Sequence, residues 1–162
     1  MTDDVTIAPA VASDAGEILT VQRAAYLVEA QRYRDLFLPP LTETLDEVRA
    51  ALAGPAVVLA ARRGARLVGS VRARLDGDTA HVGRLSVAPD QQGHGIGGRL
   101  LSAVERACAG RVARFALFTG AQSTDNLVRY ARRGYRVVAH RDDENGNRLA
   151  VLEKVSPARS DA

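Results

Sequence analysis

A chain of 162 residues with 46% hydrophobic and 25% charged side chains has the size and composition of one globular domain with its own core. The single cysteine, Cys108, excludes an internal disulfide framework and a cysteine-rich metal site, and no apolar run is long enough to span a bilayer, so we expect a cytoplasmic protein without a membrane partner. The 22 Lys and Arg residues only slightly exceed the 19 Asp and Glu residues and are dispersed, so we expect no nucleic-acid partner.

Hydrophobic patterning and turn residues in the first half of the chain predict four strands and two helices. The first helix is expected to begin near Asp14 and Glu17 and the second near Thr44 and Glu47, because both pairs have the spacing of a capping box. A Pro-Pro pair ends the first helical region. The predicted strands are 5–10, 56–62, 67–75 and 79–87, and the predicted helices are 13–33 and 44–52.

The second half of the chain continues with two helices and three strands. The helix after the glycine-rich segment QGHGIGG carries Leu100, Val104 and Cys108 on one face, so Cys108 is expected in the core and not as a nucleophile. The pair Asn145-Gly146 predicts a hairpin turn between the last two strands. The predicted helices are 97–109 and 124–133, and the predicted strands are 112–119, 135–140 and 148–155.

Glycines between a strand and a helix are typical of a phosphate-binding loop, because backbone N–H groups and the positive end of the helix dipole can approach an anion. Gly93, Gly95 and Gly98 also fit the dinucleotide-binding pattern G-x-G-x-x-G. Against that interpretation, APDQQ separates the strand from the glycines, and the next strand has no acidic residue at its end to hold a ribose. The phosphate-binding pattern of Gly-Lys-Ser/Thr is absent too.

The segment LSVAPDQQGHGIGGRLL, residues 85–101, resembles the acetyl-CoA-binding motif of the GNAT superfamily of N-acetyltransferases. The core of that motif, Q/R-x-x-G-x-G/A, falls on Gln92, Gly95 and Gly97. A second family motif, Tyr-x-x-x-Gly-Phe/Tyr, matches YARRGY at residues 130–135. The predicted element order β-α-α-β-β-β-α-β-α-β-β also fits the family fold.

The resemblance covers nearly all of residues 5–154 and implies a mixed α/β fold of the GNAT type. In that fold a six- to seven-stranded, mostly antiparallel sheet is splayed at strands 4 and 5 and carries about four helices on its faces. We expect one domain over residues 1–155, followed by a polar tail over 156–162. Nothing in the sequence decides between a monomer and a homodimer joined through the C-terminal hairpin.

The resemblance also implies how acetyl-CoA, the expected co-substrate, would bind without a metal. Its pyrophosphate would lie on the N–H groups of the glycine loop. There His94 and Arg99 either add positive charge near the phosphates or are exposed polar residues at the start of the helix. The pantetheine arm of acetyl-CoA would bind the fourth strand. Many family members have Asn seven residues before the motif Tyr, where this chain has Ser123. Ser123 either contacts the cofactor or is a plain N-cap. Asn126 is the stronger candidate for a cofactor contact. The expected cofactor-binding residues are Leu85, Ser86, Val87, Gln92, Gly93, His94, Gly95, Ile96, Gly97, Gly98, Ser123 and Asn126.

Tyr130 is the expected catalytic acid. Acetylation of an amine expels the coenzyme A thiolate, and a phenol close to the sulfur can return a proton to it. The unperturbed pKa values, ~10 for tyrosine and ~8.5 for a thiol, make this transfer plausible. The alternative is a buried structural aromatic residue.

His81 is the expected general base, because some family members use a Glu or His at this place on the fourth strand. Strand alternation would place His81 on the same face as Leu85 and Val87. An imidazole with a pKa near ~6.5 suits proton removal from the attacking amine, directly or through water. The alternative is an ordinary strand histidine.

Residues 24–45, which span the first helices and their connection, are where family members differ most and where the acceptor would bind. An aromatic stripe in this segment either faces the core or walls an acceptor pocket, and nearby acids would attract a cationic amine. The aromatic residues are Tyr26, Tyr33 and Phe37, and the acids are Glu29, Asp35 and Glu43.

These features together favour an acetyl-CoA-dependent N-acetyltransferase that acts on the primary amine of a small molecule by direct attack in a ternary complex. One alternative is acetylation of a peptide or protein amine. Another is a non-catalytic acyl-CoA-binding module, which would need neither Tyr130 nor His81. A dinucleotide oxidoreductase is the remaining alternative.

Overall fold

The computed structural model describes residues 4–157, and that range contains five α-helices and seven strands. The predicted order of strands and α-helices is correct apart from one added short helix, α2, which begins at the Pro-Pro pair. Three 3-10 turns, Ala12–Asp14, Pro89–Gln91 and Ala109–Arg111, also lie between these elements. The helices are α1 (Ala15–Tyr33), α2 (Pro39–Thr42), α3 (Leu45–Ala53), α4 (Ile96–Cys108) and α5 (Thr124–Arg132). The strands are β1 (Val5–Pro9), β2 (Val57–Arg63), β3 (Arg66–Asp76), β4 (Thr79–Val87), β5 (Arg114–Gly120), β6 (Arg136–Asp142) and β7 (Arg148–Val155).

The seven strands form a single sheet in the order β1-β2-β3-β4-β5-β7-β6. Every neighbouring pair is antiparallel except β4 and β5, which run parallel. That parallel pairing covers only the residues from Thr79–Arg114 to His81–Ala116, after which the two strands diverge. The predicted mixed α/β fold, with a mostly antiparallel sheet splayed at strands 4 and 5, is confirmed.

Helices cover both faces of the sheet, and each face has its own hydrophobic core. On one face α4 packs its apolar side on the strands, and Leu100, Val104 and Cys108 are fully buried there. On the other face α1 and α3 pack on β2 and β3 through Ile18, Val48 and their neighbours. Each such buried aliphatic side chain contributes roughly 2 kcal/mol by leaving water.

The two predicted capping boxes have different outcomes. Thr44 begins α3 as expected, because its Oγ1 accepts from the Glu47 N–H at 3.2 Å and Glu47 Oε1 accepts from the Thr44 N–H at 2.9 Å. The box at the start of α1 is wrong: Asp14 makes no side-chain cap. Asp14 Oδ2 instead accepts from the Val11 N–H at 2.8 Å in the short turn before α1. Asp14 Oδ1 and Glu17 Oε1 also accept from Arg62 Nη2 of β2, at 2.6 and 3.1 Å, so the start of α1 is held by an ion pair with a distant strand.

The C-terminal strand ends at Val155, and the packed part of the chain continues for one more residue. Ser156 is buried, its N–H donates to the Ala113 carbonyl, and its hydroxyl donates to the Ala109 carbonyl. Residues 158–162 of the predicted polar tail lie outside the described residues. No helix within residues 4–157 is both long enough and apolar enough to cross a membrane.

Candidate active site

The glycine loop leads directly into the first turn of α4. Gly93 and Gly95 have φ angles of +84° and +80°, a left-handed conformation in which only glycine is free of strain. Gly95 is the N-cap of α4, and its carbonyl accepts the first helical hydrogen bond, from the Arg99 N–H. The N–H groups of Ile96, Gly97 and Gly98 therefore have no partner inside the helix and are free to bind an anion.

The residues just before the loop lie along the unpaired edge of β4. Beyond His81, β4 has β3 on one side and no β5 partner on the other. Leu85, Ser86 and Val87 belong to this stretch, and Gln92 Nε2 donates to the Val87 carbonyl at 3.2 Å. The splay therefore offers backbone donors and acceptors to a ligand lying between the two strands.

A β-bulge at Arg84 changes which face the β4 side chains occupy. Ser70 pairs with Ser86 and Arg72 pairs with Gly83, so two β4 residues stand opposite one β3 residue. Arg84 takes a left-handed φ of +53°, which is uncommon for a residue with a side chain.

The bulge overturns the expectation that His81 shares a face with Leu85 and Val87. Ala80 and Val82 before the bulge contribute to the same core as Leu85 and Val87 after it. His81, between Ala80 and Val82, therefore faces the opposite side, which is the side that α1 covers. The extra residue in the strand reverses the alternation that a regular strand would keep.

The environment of His81 keeps its imidazole neutral. Burial lowers the pKa of His81 below its usual value, and the positive charges of Arg74 and Arg141 lower it further, against the opposing charges of Asp76 and Glu153. Four residues of extended strand, about 13 Å, separate His81 from Leu85, and the bulge shortens that distance somewhat.

Tyr130 lies on α5 and packs edge-on against Tyr135, with ring centroids 5.9 Å apart. Tyr135 is fixed in turn, because its hydroxyl donates to Glu105 at 2.8 Å and Lys154 binds the same carboxylate at 2.8 Å. No described residue makes a hydrogen bond to the Tyr130 hydroxyl. Burial, with a smaller contribution from the negative charge of Glu29, raises the pKa of Tyr130 to about 12, so the phenol is protonated at neutral pH.

Ser123 and Asn126, both predicted to contact the cofactor, lie at the start of α5. Ser123 is fully buried, and its hydroxyl donates to Glu29 of α1 at 2.7 Å, so it joins the two helices. Its hydroxyl makes no N-cap hydrogen bond. Asn126 is half-buried, and its Nδ2 donates to Thr119 Oγ1 at 3.2 Å, which leaves its side-chain carbonyl oxygen without a partner among the described residues.

The C-terminal half of α1 forms an aromatic wall over the splay. Tyr26 is half-buried, and the groups whose charges act on its hydroxyl include Tyr130, Arg84 and Glu29. Tyr33 ends the helix, and its hydroxyl accepts from the Gln122 N–H at 2.9 Å. The expected aromatic stripe is thus split, because α1 ends at Tyr33 and Phe37 lies beyond it with 73% of its surface exposed.

The connection between α1 and α2 is tied to the tip of the β6–β7 hairpin. Asp35 Oδ2 accepts hydrogen bonds from the side-chain amides of Asn145 and Asn147, each at 2.8 Å, and Asp35 Oδ1 accepts from the Phe37 N–H. These bonds lower the pKa of the Asp35 carboxyl, chiefly the one from Asn145. The connection therefore spans from α1 to the far side of the splay.

A largely buried charge cluster lies under α1 and was not predicted from the sequence. Glu43 accepts both Nη groups of Arg72, at 2.9 and 3.1 Å, and is approached by Arg84 Nε at 3.4 Å and by Gln22 Nε2 at 3.0 Å. Burial opposes ionisation, but the hydrogen bonds and charges of these partners outweigh it and lower the pKa of Glu43 to about 2. Glu43, Arg72 and Arg84 are far apart in sequence, so no local pattern could have indicated the cluster.

A cleft of about 480 Å³ on the outer face of α4 is lined by Arg99, Arg106 and Arg133. Arg133 Nη1 donates to Ser102 Oγ at 3.2 Å. A Cβ at Gly98 would overlap the Arg133 guanidinium, so glycine is required there for that side chain to lie against the start of α4. Of these three arginines only Arg99 was predicted from the sequence to lie near the phosphates, because Arg106 and Arg133 stand outside the glycine motif.

Within the described residues, no group of three or more His, Cys, Asp or Glu side chains is arranged to hold a metal ion. The sequence from residue 31 to residue 155 matches the family model of the acetyltransferase (GNAT) domain. A search of curated proteins gives no match.

Solved structures with similar folds are N-acetyltransferases of several kinds. The PaiA N-acetyltransferase of Thermoplasma acidophilum, in complex with coenzyme A, has a TM-score of 0.77 and 15% identity over 94% of this chain and 99% of that chain. The ribosomal-protein-S18-alanine N-acetyltransferase of Escherichia coli has a TM-score of 0.78 and 15% identity over 94% of each chain. An aminoglycoside 6'-acetyltransferase of type Ii has a TM-score of 0.70 and 19% identity over 93% of this chain and 96% of that chain.

Proposed function

Because the chain belongs to the GNAT acetyltransferase family, we propose that it transfers the acetyl group of acetyl-CoA to a primary amine of a small molecule, by direct attack within a ternary complex. The observation that carries this proposal is the splay of β4 and β5, with an unpaired β4 edge on one side and the phenol of Tyr130 near its opening. The solved coenzyme A complex of a protein with a similar fold supports the choice of acyl donor.

The glycine loop would bind the pyrophosphate of acetyl-CoA. The N–H groups from Gly93 to Gly98 and the positive end of α4 supply donors and favourable charge. Arg133 adds a cation against the same first turn. The pantetheine arm would then follow the free edge of β4, where Leu85 and Val87 offer backbone groups.

In the proposed reaction the amine nitrogen attacks the thioester carbonyl, a C–N bond forms and the C–S bond breaks. A free N–H group on the β4 edge would bind the developing oxyanion. The amine loses one proton to a base, and the leaving thiolate takes one from an acid. Tyr130 suits the acid role, because it carries its proton at neutral pH and burial also favours the neutral form of a thiol beside it.

His81 is our proposed base, acting through water. It lies on the α1 side of the sheet, the side from which an acceptor would approach, and its lowered pKa keeps it unprotonated at neutral pH. Its distance along the strand from Leu85 requires an intervening water.

The ties between α1 and the neighbouring loops favour a small acceptor over a peptide. Tyr33 is held to Gln122 and Asp35 to the hairpin residues Asn145 and Asn147, so the segment that follows α1 lies across the acceptor side. A peptide would need an open groove there. Acetylation of a peptide or protein amine is the alternative, since one similar structure is a ribosomal-protein acetyltransferase.

The test is thiol release from acetyl-CoA across a panel of small amines, arylamines and short peptides, with Tyr130→Phe beside the unchanged protein. We expect turnover with small amines and a loss of at least tenfold in kcat for the variant. The matched control is Tyr135→Phe, which removes the neighbouring hydroxyl that binds Glu105.

Equal kcat values for Tyr130→Phe and the unchanged protein would remove Tyr130 from the chemistry. Turnover of peptides alone would replace the small-molecule acceptor with a peptide. Coenzyme binding without turnover of any acceptor would favour a non-catalytic acyl-CoA-binding module.

A further inference from the structure

The charges next to the β4 bulge do not suit an acceptor that is only a cation. Glu43, expected from the sequence to attract an amine, is bound by two guanidinium groups, so the cluster of Glu43, Arg72 and Arg84 has a net charge of +1. Asp35 is occupied by the hairpin amides, and Glu29 by Arg32 and Ser123.

Arg72 and Arg84 are used differently within the cluster. Arg72 directs both Nη groups to Glu43, and 17% of its side chain is exposed. Arg84 approaches Glu43 only through Nε, at 3.4 Å, and its two Nη groups make no hydrogen bond with any described residue. With 24% of its side chain exposed, Arg84 holds an unused pair of donors.

Arg84 also occupies a position that costs stability. Its backbone is left-handed at the bulge, which costs about 1 kcal/mol or more for a residue with a Cβ, and its guanidinium adds a second positive charge to a largely buried cluster. An anion that arrives with a ligand would remove the excess charge. A guanidinium with two free Nη groups matches a carboxylate in shape and hydrogen-bonding geometry.

The bulge places Arg84 next to Leu85, on the unpaired edge of β4 along which the acyl donor is proposed to lie. Its charge acts on the hydroxyl of Tyr26 in the α1 wall, together with the charge of Glu29 and the hydroxyl of Tyr130. A group bound to Arg84 would therefore lie on the acceptor side of the splay, close to the reacting amine.

We propose that Arg84 binds a carboxylate of the acceptor, so that the substrate is a small amino acid or a related amine that carries a carboxylate. The inference rests on the proposed acetyltransferase function and names the substrate class of the same site. The carboxylate pairs with Arg84, and the amine on the neighbouring carbon reaches the thioester.

The test compares α-amino acids with their own carboxamides and decarboxylated amines, which keep the amine and lose the charge. For the unchanged protein we expect kcat/KM to be at least tenfold higher for the amino acid than for its carboxamide or its decarboxylated amine. Arg84→Gln should lose that preference, mainly through a higher KM, while its Kd for acetyl-CoA stays within about twofold. Arg84→Lys, which keeps the charge without the paired donors, should fall between the two.

Arg49→Gln, an exposed arginine of α3, is the matched control and should keep the preference. Arg84→Gln leaves the paired bonds between Arg72 and Glu43 in place, so it should fold, and Tm checks this. Equal use of amino acids and carboxamides by the unchanged protein would overturn the inference while leaving the acetyltransferase function intact.

Absence of turnover with every amine would instead count against the acetyltransferase function. In that case the Tm shift with amino acid alone, in the unchanged protein and in Arg84→Gln, decides the inference on its own. A shift lost in the variant would support it, and the same shift in both proteins, or none in either, would contradict it.

Discussion

The coenzyme side and the acceptor side of this molecule are built from the chain in different ways. Most of the proposed coenzyme residues form one nearly continuous segment, 85–98, whose shape is fixed by local backbone conformation at Gly93 and Gly95. The acceptor side is assembled over long distances: Glu43 meets Arg72 29 residues further on, and Glu29 meets Ser123 94 residues further on. A short motif thus determines one side of the site, whereas the whole fold determines the other.

Replacing Glu43 should have the largest effect, because it breaks the cluster that organises the acceptor side. Glu43→Gln leaves two guanidinium groups without a counter-charge in a largely buried place, which should lower the free energy of unfolding by about 3 kcal/mol in urea titrations. The Kd for acetyl-CoA of the folded protein should change by less than about twofold. Asp46→Asn, at an exposed acid of α3, is the control.

The pH dependence of stability gives a second measure of the same residue. The folded pKa of Glu43 is lowered to about 2 from an ordinary value of 4.5, so its contribution is present above pH 4.5 and is lost as the pH falls towards 2. The unchanged protein should therefore lose more stability between pH 5 and pH 2 than Glu43→Gln. Parallel pH profiles of the two proteins would contradict the contribution of Glu43 to stability. A Kd for acetyl-CoA that rises by more than about twofold in Glu43→Gln would contradict the separation of the two sides.

Replacing Gly95 should have an intermediate effect that is confined to the coenzyme side. Gly95→Ala meets no neighbouring atom within 4 Å, so the left-handed φ of +80° is the source of its cost, about 1 kcal/mol. The strained loop should misdirect the N–H groups at the start of α4 and raise the Kd for acetyl-CoA about tenfold, as expected for one lost charge-assisted hydrogen bond. Isothermal titration measures this.

Gly16→Ala is the matched control for that variant. Gly16 lies in the first turn of α1, also with no atom within 4 Å of the added methyl group, but with ordinary helical φ. It should leave the Kd unchanged and stabilise the protein slightly. A tenfold change in Kd for both variants would mean that the effect does not come from the glycine loop.

The difference between the two sides also explains what the sequence could predict. Local patterns sufficed for the order of the main elements, for the Thr44 cap and for a glycine loop that enters a helix. The bulge at Arg84 could not be predicted from the sequence, because the strand alternates in composition on both sides of it. The prediction of which side of the sheet His81 faces was therefore wrong. The ion pairs of Asp14 and Glu43 depend on arginines in later strands, which become neighbours only after folding.

Replacing Asp35, which ties the α1–α2 connection to the β6–β7 hairpin, should have the smallest effect on stability and the most specific effect on the acceptor side. Asp35→Ala removes the acceptor for the amides of Asn145 and Asn147, in a partly exposed place where each lost hydrogen bond costs about 1 kcal/mol or less. We expect faster hydrogen exchange at residues 34–38 and turnover of larger amines, with an unchanged Kd for acetyl-CoA.

Asp142→Ala, which breaks only an exposed ion pair with Arg148 in the same hairpin, is the control and should change none of these. If Asp35→Ala exchanges no faster and accepts no larger amines, the α1–α2 connection does not limit acceptor size, and the preference for a small acceptor must come from the wall of Tyr26 and Tyr33.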